Sequence, residues 1–280
     1  MKLMLRSHSN LLVSVRRVTQ DNKGKNTPGI DSQVVLTPKS KMALVRNMSE
    51  QPLWQARPVR RVYIPKKGGR RPLGIPTIKN RVAQAMLKNA LEPSWEARFE
   101  INSYGFRPGR SCHDGITQCW SRLNRRGNDR WVLDADIRGA FDNISHDYLM
   151  KALGQTPRRE LVRHWLKAGF VEKEIFNPTT SGVPQGGIIS PLLANIALDG
   201  MERLLKGKFG FVRYADDFVV TAKTKEELSE IIPVLEDWLL ERGLTMHEKK
   251  TRIVHIQDGF NFLGFVCHER GGERNVNQTH

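Results

Sequence analysis

The segment FGFVRYADDFVVTA, residues 209–222, carries two adjacent carboxylates between two short apolar runs. The runs predict the strands of a β-hairpin with Asp216 and Asp217 at its tip. Neighbouring carboxylates repel each other and resist burial, so a cation or a proton is needed to make the arrangement tolerable. A solvated Asp-rich turn is the alternative for an isolated Asp pair, and the apolar strands on both sides favour a functional site.

The elements around this hairpin predict an α+β fold. WVLDADI (131–137) is almost continuously apolar apart from its aspartates and predicts an interior strand. Ser190 predicts the start of a helix that continues to about Leu205, and Thr224 begins a capping box for a later helix. FNFLGFVCH (260–268) predicts one more strand. The order strand, helices, hairpin, helix, strand is that of a split βαβ, ferredoxin-like antiparallel sheet.

In such a sheet the two central strands are neighbours, so Asp136 is expected to approach Asp216 at the hairpin tip. Three converging carboxylates form an energetically unfavourable cluster unless divalent cations neutralise their charge. Two such ions about 4 Å apart activate a 3′-hydroxyl and stabilise a pyrophosphate leaving group in phosphoryl transfer. Nucleotidyl transfer and phosphodiester hydrolysis are therefore the predicted reaction types.

The charge balance indicates a nucleic-acid partner. Lys and Arg number 45 against 29 Asp and Glu, which gives a net charge of +16. An anionic membrane surface is the less favoured alternative, and no apolar run reaches the roughly 18 residues that span a bilayer. The three cysteines have neither CxxC nor metal-ligand spacing, so the sequence predicts neither a zinc site nor a disulfide framework.

The N-terminal part is strongly basic. The first twenty residues contain four basic and no acidic side chains, which predicts an amphipathic RNA-contacting helix, with an organellar transit peptide as the alternative. RRVYIPKKGGRRPLGIP (60–76) predicts a hairpin around a Gly-Gly turn, with six basic residues in its first twelve positions. A helix is expected next, with Val82, Met86 and Ala90 on one face and Pro93 disrupting its end.

Six ordered blocks together resemble a group II intron-encoded reverse transcriptase/maturase. They are RRPLGIPTIKNRVAQ (70–84), NSYGFRPGRS (102–111), LDADIRGAFDNISH (133–146), SGVPQGGIISPLLANIAL (181–198), VRYADD (212–217) and NFLGF (261–265). The resemblance implies a right-hand polymerase with fingers at roughly 1–130 and a palm at roughly 131–280, the palm carrying the ferredoxin-like sheet. Members generally continue after NFLGF with a helical thumb, which is expected to be absent here.

The resemblance also implies roles for individual residues. The metal site would consist of Asp136, Ile137, Asp216 and Asp217, with two Mg²⁺ ions for which Mn²⁺ can substitute; the three aspartates would be catalytic. The positions that match nucleotide contacts are Lys66 and Arg71 at the triphosphate, Ile137, Phe141 under the sugar, Gln185 in the PQG loop, and Lys250. The positions expected to contact nucleic acid are Arg60, Arg61, Lys67, Arg70, Arg107 and Arg110. His247 stands where the family usually has Asn.

The resemblance implies an RNA-directed DNA polymerase of a group II intron, with a role in intron mobility and RNA splicing. Its expected partners are intron RNA, an RNA template with a DNA or RNA primer, and dNTPs, with no membrane. The sequence leaves open whether the chain forms a homodimer or acts with a separate thumb-containing segment. The expected location is the bacterial cytoplasm, with an organelle as the alternative. One alternative is a maturase-type, RNA-binding splicing cofactor without independent polymerase activity, and another is a metal-dependent nuclease.

Overall fold

The computed structural model describes residues 1–50, 55–66, 69–124, 128–205, 207–270 and 273–278, and after residue 268 it describes the backbone alone. The chain divides into two compact units. One consists of Met1–Ala97 and Phe141–Ile196, and the other of Arg98–Ala140 and Ala197–His280. The sequence predicts a boundary between fingers and palm near residue 130. The division into compact units does not test that boundary, so it stays a prediction.

Both units contain helices and strands. The helices are α1 (Lys2–Arg6), α2 (His8–Arg16), α3 (Pro38–Glu50), α4 (Ile78–Glu96), α5 (Cys112–Leu123), α6 (Ala140–Asn143), α7 (His146–Leu153), α8 (Arg159–Lys167), α9 (Ser190–Ala197), α10 (Met201–Leu204) and α11 (Lys225–Leu240). The strands are β1 (Val59–Lys66), β2 (Gly69–Ile75), β3 (Trp131–Asp136), β4 (Phe170–Glu172), β5 (Ile175–Asn177), β6 (Gly210–Tyr214), β7 (Asp217–Ala222), β8 (Arg252–His255), β9 (Phe260–Phe262), β10 (Phe265–Arg270) and β11 (Glu273–Gln278).

Helix α4 lies at the centre of the first unit. The side chain of Thr77 caps it by accepting a hydrogen bond from the backbone N–H of Asn80. The predicted end at Pro93 is wrong, because the helix continues through Glu96. A proline removes a single backbone donor, and the buried side chain of Trp95 anchors the last turn. The predicted inward face is buried, namely Val82, Met86 and Ala90.

The sheet of the first unit contains the predicted basic hairpin. Its strand order is β2-β1-β4-β5, and β1 pairs antiparallel with β2 and parallel with β4. The hairpin prediction for residues 60–76 is therefore confirmed. Two residues of its turn, Lys67 and Gly68, lie outside the described residues.

The second unit contains the predicted ferredoxin-like sheet. Its strand order is β6-β7-β3-β8, and all of its pairings are antiparallel. This is the order of a split βαβ unit, so the fold prediction is confirmed. Val132 and Val219 of the central strands pack in one hydrophobic cluster with Ile116, Cys119 and Leu123 of α5. The core of the second unit therefore covers one face of the sheet behind its two central strands.

Helix α11 begins as predicted. Thr224 and Glu227 form a reciprocal capping box, in which each side chain accepts a hydrogen bond from the other residue's backbone N–H. Pro233 lies inside the helix, while Leu235 and Leu239 are fully buried. The inward face therefore holds the helix together across the proline.

The fourth strand of this sheet was predicted in the wrong place. It is β8, Arg252–His255, that pairs with β3, whereas FNFLGFVCH belongs to a separate three-stranded sheet of order β11-β10-β9. That segment is two strands rather than one, because Leu263 and Gly264 both have positive φ, 53° and 82°. Two successive left-handed residues reverse the chain into a tight hairpin.

The helix predicted from Ser190 to about Leu205 is interrupted. Helix α9 ends at Ala197, and α10 restarts at Met201 after Gly200, whose φ is 109°. This φ takes the backbone out of the helical region. The break allows Glu202 of α10 to accept a hydrogen bond from the backbone N–H of Asn102 at 3.1 Å. In the described part of the chain, no helix combines the length and apolar composition needed to cross a bilayer.

Candidate active site

Two of the predicted catalytic carboxylates face each other across neighbouring strands of the second unit. The register of β3 and β7 places Asp136 directly opposite Asp217. The backbone N–H of Ile137 donates to the carbonyl of Asp216 at 3.1 Å, and that of His247 donates to the carbonyl of Asp136 at 2.8 Å. Asp136 is 8% exposed. Sheet pairing therefore fixes the backbone of all three aspartates at one end of the sheet.

The turn that carries Asp216 contains a non-glycine residue in the left-handed region. Tyr214 pairs with Asp217, so Ala215 and Asp216 form a two-residue hairpin loop, and Ala215 has a φ of 58°. This conformation costs an alanine about 1–2 kcal/mol. The guanidinium of Arg213 compensates in part, because its Nη1 donates to the carbonyl of Ala215 at 3.1 Å.

Arg213 is a buried charge beneath this turn. It is 1% exposed, and burial lowers the pKa of its guanidinium to about 10, although the nearby carboxylates of Glu100 and Asp199 favour the charged form. Its backbone N–H donates to the carbonyl of Asn102 at 2.9 Å, and its carbonyl accepts from the N–H of Tyr104 at 2.8 Å. The segment around residue 103 thereby extends the sheet beyond β6 and supports the turn from the side.

The carboxylates repel each other, and Lys250 partly neutralises them. Desolvation, followed by the charges of Asp216 and Asp136, raises the pKa of Asp217 to about 6, while Lys250 acts in the opposite direction. The Nζ of Lys250 donates to Oδ2 of Asp136, and this hydrogen bond raises the pKa of Lys250. The Lys250 side chain is 56% exposed. A solvent-exposed ammonium group therefore lies beside Asp136 and balances part of the negative charge.

The donor chemistry fits a divalent cation. Carboxylate oxygens are the ligands that Mg²⁺ prefers, and the mutual repulsion of these groups favours a bound positive charge. Within the described residues, no three Asp, Glu, His or Cys side chains converge closely enough to form a ready-made ligand set. The side chain of Ile137 is buried, so this residue can contribute to the site only through its main chain.

Asp134 lies two residues before Asp136 and on the same face of β3. Its carboxylate accepts a hydrogen bond from Nε of Arg252 at 3.2 Å. Burial raises the pKa of Asp134, and Arg252 opposes that shift. Asp134 is thus engaged by its own cation and lies opposite Val219 rather than a second carboxylate.

In the first unit, the predicted triphosphate residues share one face of the basic hairpin. Ile64 lies opposite Arg71, and Lys66 opposite Gly69; because side chains alternate along a strand, Lys66 and Arg71 project to the same side. Both are exposed. Arg70 projects to the opposite face of the hairpin. The register therefore separates the two predicted triphosphate residues from their basic neighbour.

The other predicted basic contacts have different environments. Arg60 and Arg61 are half-buried, and the guanidinium of Arg61 lies 3.9 Å from the ring centroid of Phe170. Lys67 lies outside the described residues. The nucleic-acid roles of these side chains stay predictions.

The PQG loop packs against the segment that carries Phe141. The backbone N–H of Val183 donates to the carbonyl of Phe141 at 2.6 Å, and Nε2 of Gln185 donates to the carboxylate of Asp142 at 3.1 and 3.2 Å. A Cβ on Gly186 would lie 2.6 Å from the carbonyl oxygen of Gly74, which explains why the loop needs glycine there. Phe141, Asp142 and Gln185 line a cavity of about 330 Å³ in the first unit.

Arg107 and Arg110 act inside the second unit. Arg107 is 5% exposed, and its Nη1 donates to the carbonyls of Glu100 and Ser103 at 2.6 and 2.8 Å. Nη1 of Arg110 donates to the carbonyl of Ile101. Both guanidinium groups therefore support the loop before α5, a geometry that does not present Arg107 to a nucleic acid.

The sequence patterns do not indicate three residues that contribute to the sites. Asp142 holds Gln185, Glu100 lies near the buried Arg213, and Arg252 pairs with Asp134. These partners are far apart in the sequence, so local patterns do not reveal them. In the sequence, the role of Asp142 is indicated only by its position immediately after Phe141.

The second unit has the architecture of a palm-type polymerase: a split βαβ sheet that sets an aspartate of one central strand against an aspartate of a hairpin tip. Residues 64–267 match the family described as reverse transcriptase (RNA-dependent DNA polymerase), and residues 1–48 match the N-terminal domain of reverse transcriptase. The chain belongs to the reverse transcriptase family.

Two relatives and one solved structure show which members of this family and fold the chain is similar to. It is 35% identical over 309 residues to protein YkfC of Escherichia coli, covering 94% of this chain and 81% of that protein. It is 30% identical to the group II intron-encoded protein LtrA of Lactococcus lactis subsp. cremoris, over 87% of this chain but only 52% of LtrA. Telomerase from Candida albicans, solved in complex with a fragment of telomeric RNA, has a TM-score of 0.60 at 16% identity, over 82% of this chain and 46% of that one.

These similarities bear out the resemblance drawn from the six sequence blocks. The relatives include group II intron-encoded proteins, and the telomerase likeness supports the polymerase fold. The chain spans about half the length of LtrA.

Proposed function

We propose that this chain is the polymerase portion of a group II intron-encoded reverse transcriptase, which adds dNTPs to a DNA or RNA primer on an RNA template. The observation that carries the proposal is the register of β3 and β7, which sets Asp136 opposite Asp217. The match to the reverse transcriptase family over residues 64–267 supports the same reaction.

In this proposal Asp136, Asp216 and Asp217 hold two Mg²⁺ ions, with Mn²⁺ able to substitute, and the main chain of Ile137 lies at the same site. When bound, such ions activate the primer 3′-hydroxyl and stabilise the pyrophosphate leaving group. Arg213 keeps the loop of Ala215 and Asp216 in place. Lys250 provides a positive charge at the site for the triphosphate.

The first unit is proposed to bind the nucleotide and the template. Lys66 and Arg71 hold the triphosphate from one face of the hairpin, because a Lys point charge and a forked Arg suit phosphate oxygens. Phe141 lies under the sugar and disfavours a 2′-hydroxyl, while Gln185, held by Asp142, packs against the base and sugar. The nucleic-acid backbone contacts are assigned to Arg60, Arg61, Lys67 and Arg70 of this unit, and to Arg110 of the second unit.

The wider role is inferred from relatives. The name of LtrA links that protein to a group II intron, and we assign to this chain binding of intron RNA and a part in intron mobility and splicing, in the bacterial cytoplasm. A splicing cofactor without polymerase activity is not favoured, because the three aspartates and the PQG loop are present together. Residues 1–130 would act as fingers and residues 131–280 as palm.

The test is primer extension on poly(rA)/oligo(dT) with Mg²⁺ and dTTP. We expect extension by the unmodified protein and a loss of at least about 10³-fold in Asp136→Asn, because charge stabilisation by the bound metal would supply several kcal/mol. Asp134→Asn is the matched control, since it removes a carboxylate from the same face of β3, and it should retain activity.

Other outcomes separate the alternatives. Equal activity of Asp136→Asn and the unmodified protein would refute the proposed site. An inactive unmodified protein that still binds intron RNA in a salt-sensitive way would indicate the splicing cofactor. Cleavage of the template without dNTPs would indicate a nuclease.

A further inference from the structure

A cavity of about 300 Å³ lies along α7 and α8 in the first unit, and none of the residues that line it is assigned above to nucleotide or metal. It is lined by four cationic side chains, Lys151, Arg159, Arg163 and Lys167, and by one carboxylate, Asp147. A concave surface with this excess of positive charge attracts anions and concentrates them.

Helix α8 presents its cations as a stripe. Arg159, Arg163 and Lys167 are spaced four residues apart and therefore project from the same face of the helix. Like charges at this spacing destabilise a helix by a few tenths of a kcal/mol for each pair. The one acid of α8, Glu160, lies 3.3 Å from Nε of Arg163 and offsets only part of the charge. The stripe therefore costs helix stability in the absence of an anion.

The inner edge of the stripe carries a buried guanidinium nitrogen. Nε of Arg159 is buried and has no hydrogen-bond partner among the described residues. A buried donor without a partner destabilises the folded state, and a bound acceptor would remove this cost. At the cavity wall His146 is buried, with Nε2 donating to the carbonyl of Gly182 at 2.8 Å. Lys151 and Lys167 at the rim are exposed. The cavity thus combines half-buried guanidinium groups with exposed ammonium groups.

We propose that this cavity binds the phosphodiester backbone of a nucleic-acid duplex, at a site separate from the one for catalysis. Guanidinium forks and ammonium groups are the usual partners of phosphate oxygens, and the rim cations can reach adjacent phosphates. The proposal rests on the proposed function only in that the chain binds nucleic acid. The four cations take no part in nucleotidyl transfer.

The test compares two variants with the same loss of charge. The site variant is Lys151→Gln/Arg159→Gln/Arg163→Gln, and the control is Lys39→Gln/Lys41→Gln/Arg46→Gln on α3. The dissociation constant for a 20-base-pair RNA duplex is measured by fluorescence anisotropy over a series of NaCl concentrations. Each lost phosphate contact lowers the slope of log affinity against log salt by about 0.7–0.9. We expect a drop of about 2 in the site variant and less than 1 in the control.

An equal drop in both variants, or none in the site variant, overturns the proposal. A DNA duplex forms the second arm. A similar drop there assigns the cavity to phosphodiesters in general, and a drop confined to RNA assigns it to the backbone of an A-form duplex.

Two readouts separate this site from catalysis and from folding. At saturating short template–primer the site variant should extend primers at the unmodified rate, whereas Asp136→Asn should lose extension and keep the salt slope. If the melting temperature of the triple variant falls, Lys151→Gln/Lys167→Gln replaces it, because both of these lysines are exposed. This double variant should lower the slope by about 1.5, and an unchanged slope would contradict the proposal.

Discussion

The Asp136–Asp217 pair of the second unit and the Lys66–Arg71 pair of the first are both set by the register of antiparallel strands, yet they are held in opposite ways. The carboxylates lie on the two central strands of a four-stranded sheet, with a buried arginine beneath their turn. The cations lie near the exposed end of a hairpin. The two aspartates are positioned by paired backbone in the sheet, whereas Lys66 and Arg71, which we propose to bind the triphosphate, keep their side chains in solvent.

The difference has an energetic basis. Holding Asp136 opposite Asp217, with Asp216 next to it in the chain, opposes folding, so the surrounding structure must over-determine their positions. Two exposed cations on a hairpin cost little, because solvent screens their repulsion. We therefore expect substitutions at the carboxylates to change the chemical step, and substitutions on the hairpin to change binding of the nucleotide.

The largest effect is expected from Asp217→Asn. Extension at saturating dTTP should fall by at least about 10³-fold, since this carboxylate is assigned to the metal ions. The variant without metal should unfold at the same or a higher temperature, because the substitution removes repulsion from Asp136 and Asp216. Primer extension and thermal unfolding in EDTA check the two parts. Loss of activity together with a lower melting temperature would indicate a structural rather than a catalytic role.

The next effect is expected at Arg213. Replacement by Met removes a buried cation that lies near the buried Glu100, and removing one member of a buried charge pair costs about 3 kcal/mol. Urea unfolding measures this loss. Arg213→Lys should keep the charge but lose the bond to the carbonyl of Ala215, so the rate of extension should fall more than the stability does. An unchanged rate in Arg213→Lys would show that the bond does not position the turn.

A smaller effect should separate the two faces of the hairpin. Arg71→Ala should raise the KM for dTTP about 10- to 100-fold with little change in kcat, because a charged hydrogen bond contributes about 1.5–3 kcal/mol. Arg70→Ala is the matched control on the opposite face, and its KM should stay within about twofold. Steady-state extension over a range of dTTP concentrations distinguishes them, and equal effects would rule out the assignment of one face to the triphosphate.

The smallest effect concerns the strained turn. Ala215→Val should lower the free energy of unfolding by about 1–2 kcal/mol, because a β-branched residue is poorly tolerated at positive φ. Ala215→Gly should stay within about 1 kcal/mol of the parent. Urea unfolding of both variants tests this. Equal free energies of unfolding would mean that the turn accommodates the β-branched side chain without strain.

Local patterns were enough to predict the parts of the fold that are set by short stretches of chain. The strand at 131–137, the hairpin with Asp216 at its tip and the capping box at Thr224 each depend on alternation or on a spacing of a few residues. The facing of Asp136 and Asp217 could be inferred because the split βαβ order makes their strands neighbours. These features are fixed by local sequence and topology together.

The features missed were those decided by tertiary contacts. The strand at 252–255 is short and polar at its start, so the hydrophobic pattern favours the more apolar segment at 260–268, which the Leu263–Gly264 turn divides into two strands. Arg107 in a basic block was expected to contact nucleic acid, but its burial depends on carbonyls supplied by the folded loop. The partnership of Asp142 and Gln185 depends on two loops meeting, which spacing alone does not reveal.

The proposed metal site at Asp136, Asp216 and Asp217 can be located by iron(II)-directed hydroxyl-radical cleavage of the protein, because iron(II) would replace the bound metal and cut the backbone beside it. We expect cuts at the end of β3, at the loop of Ala215 and Asp216, and at His247, whose N–H donates to the carbonyl of Asp136. Excess Mg²⁺ and Asp136→Asn should suppress all three, and Asp134→Asn should not. Cuts located elsewhere, or cuts that persist in Asp136→Asn, would contradict it.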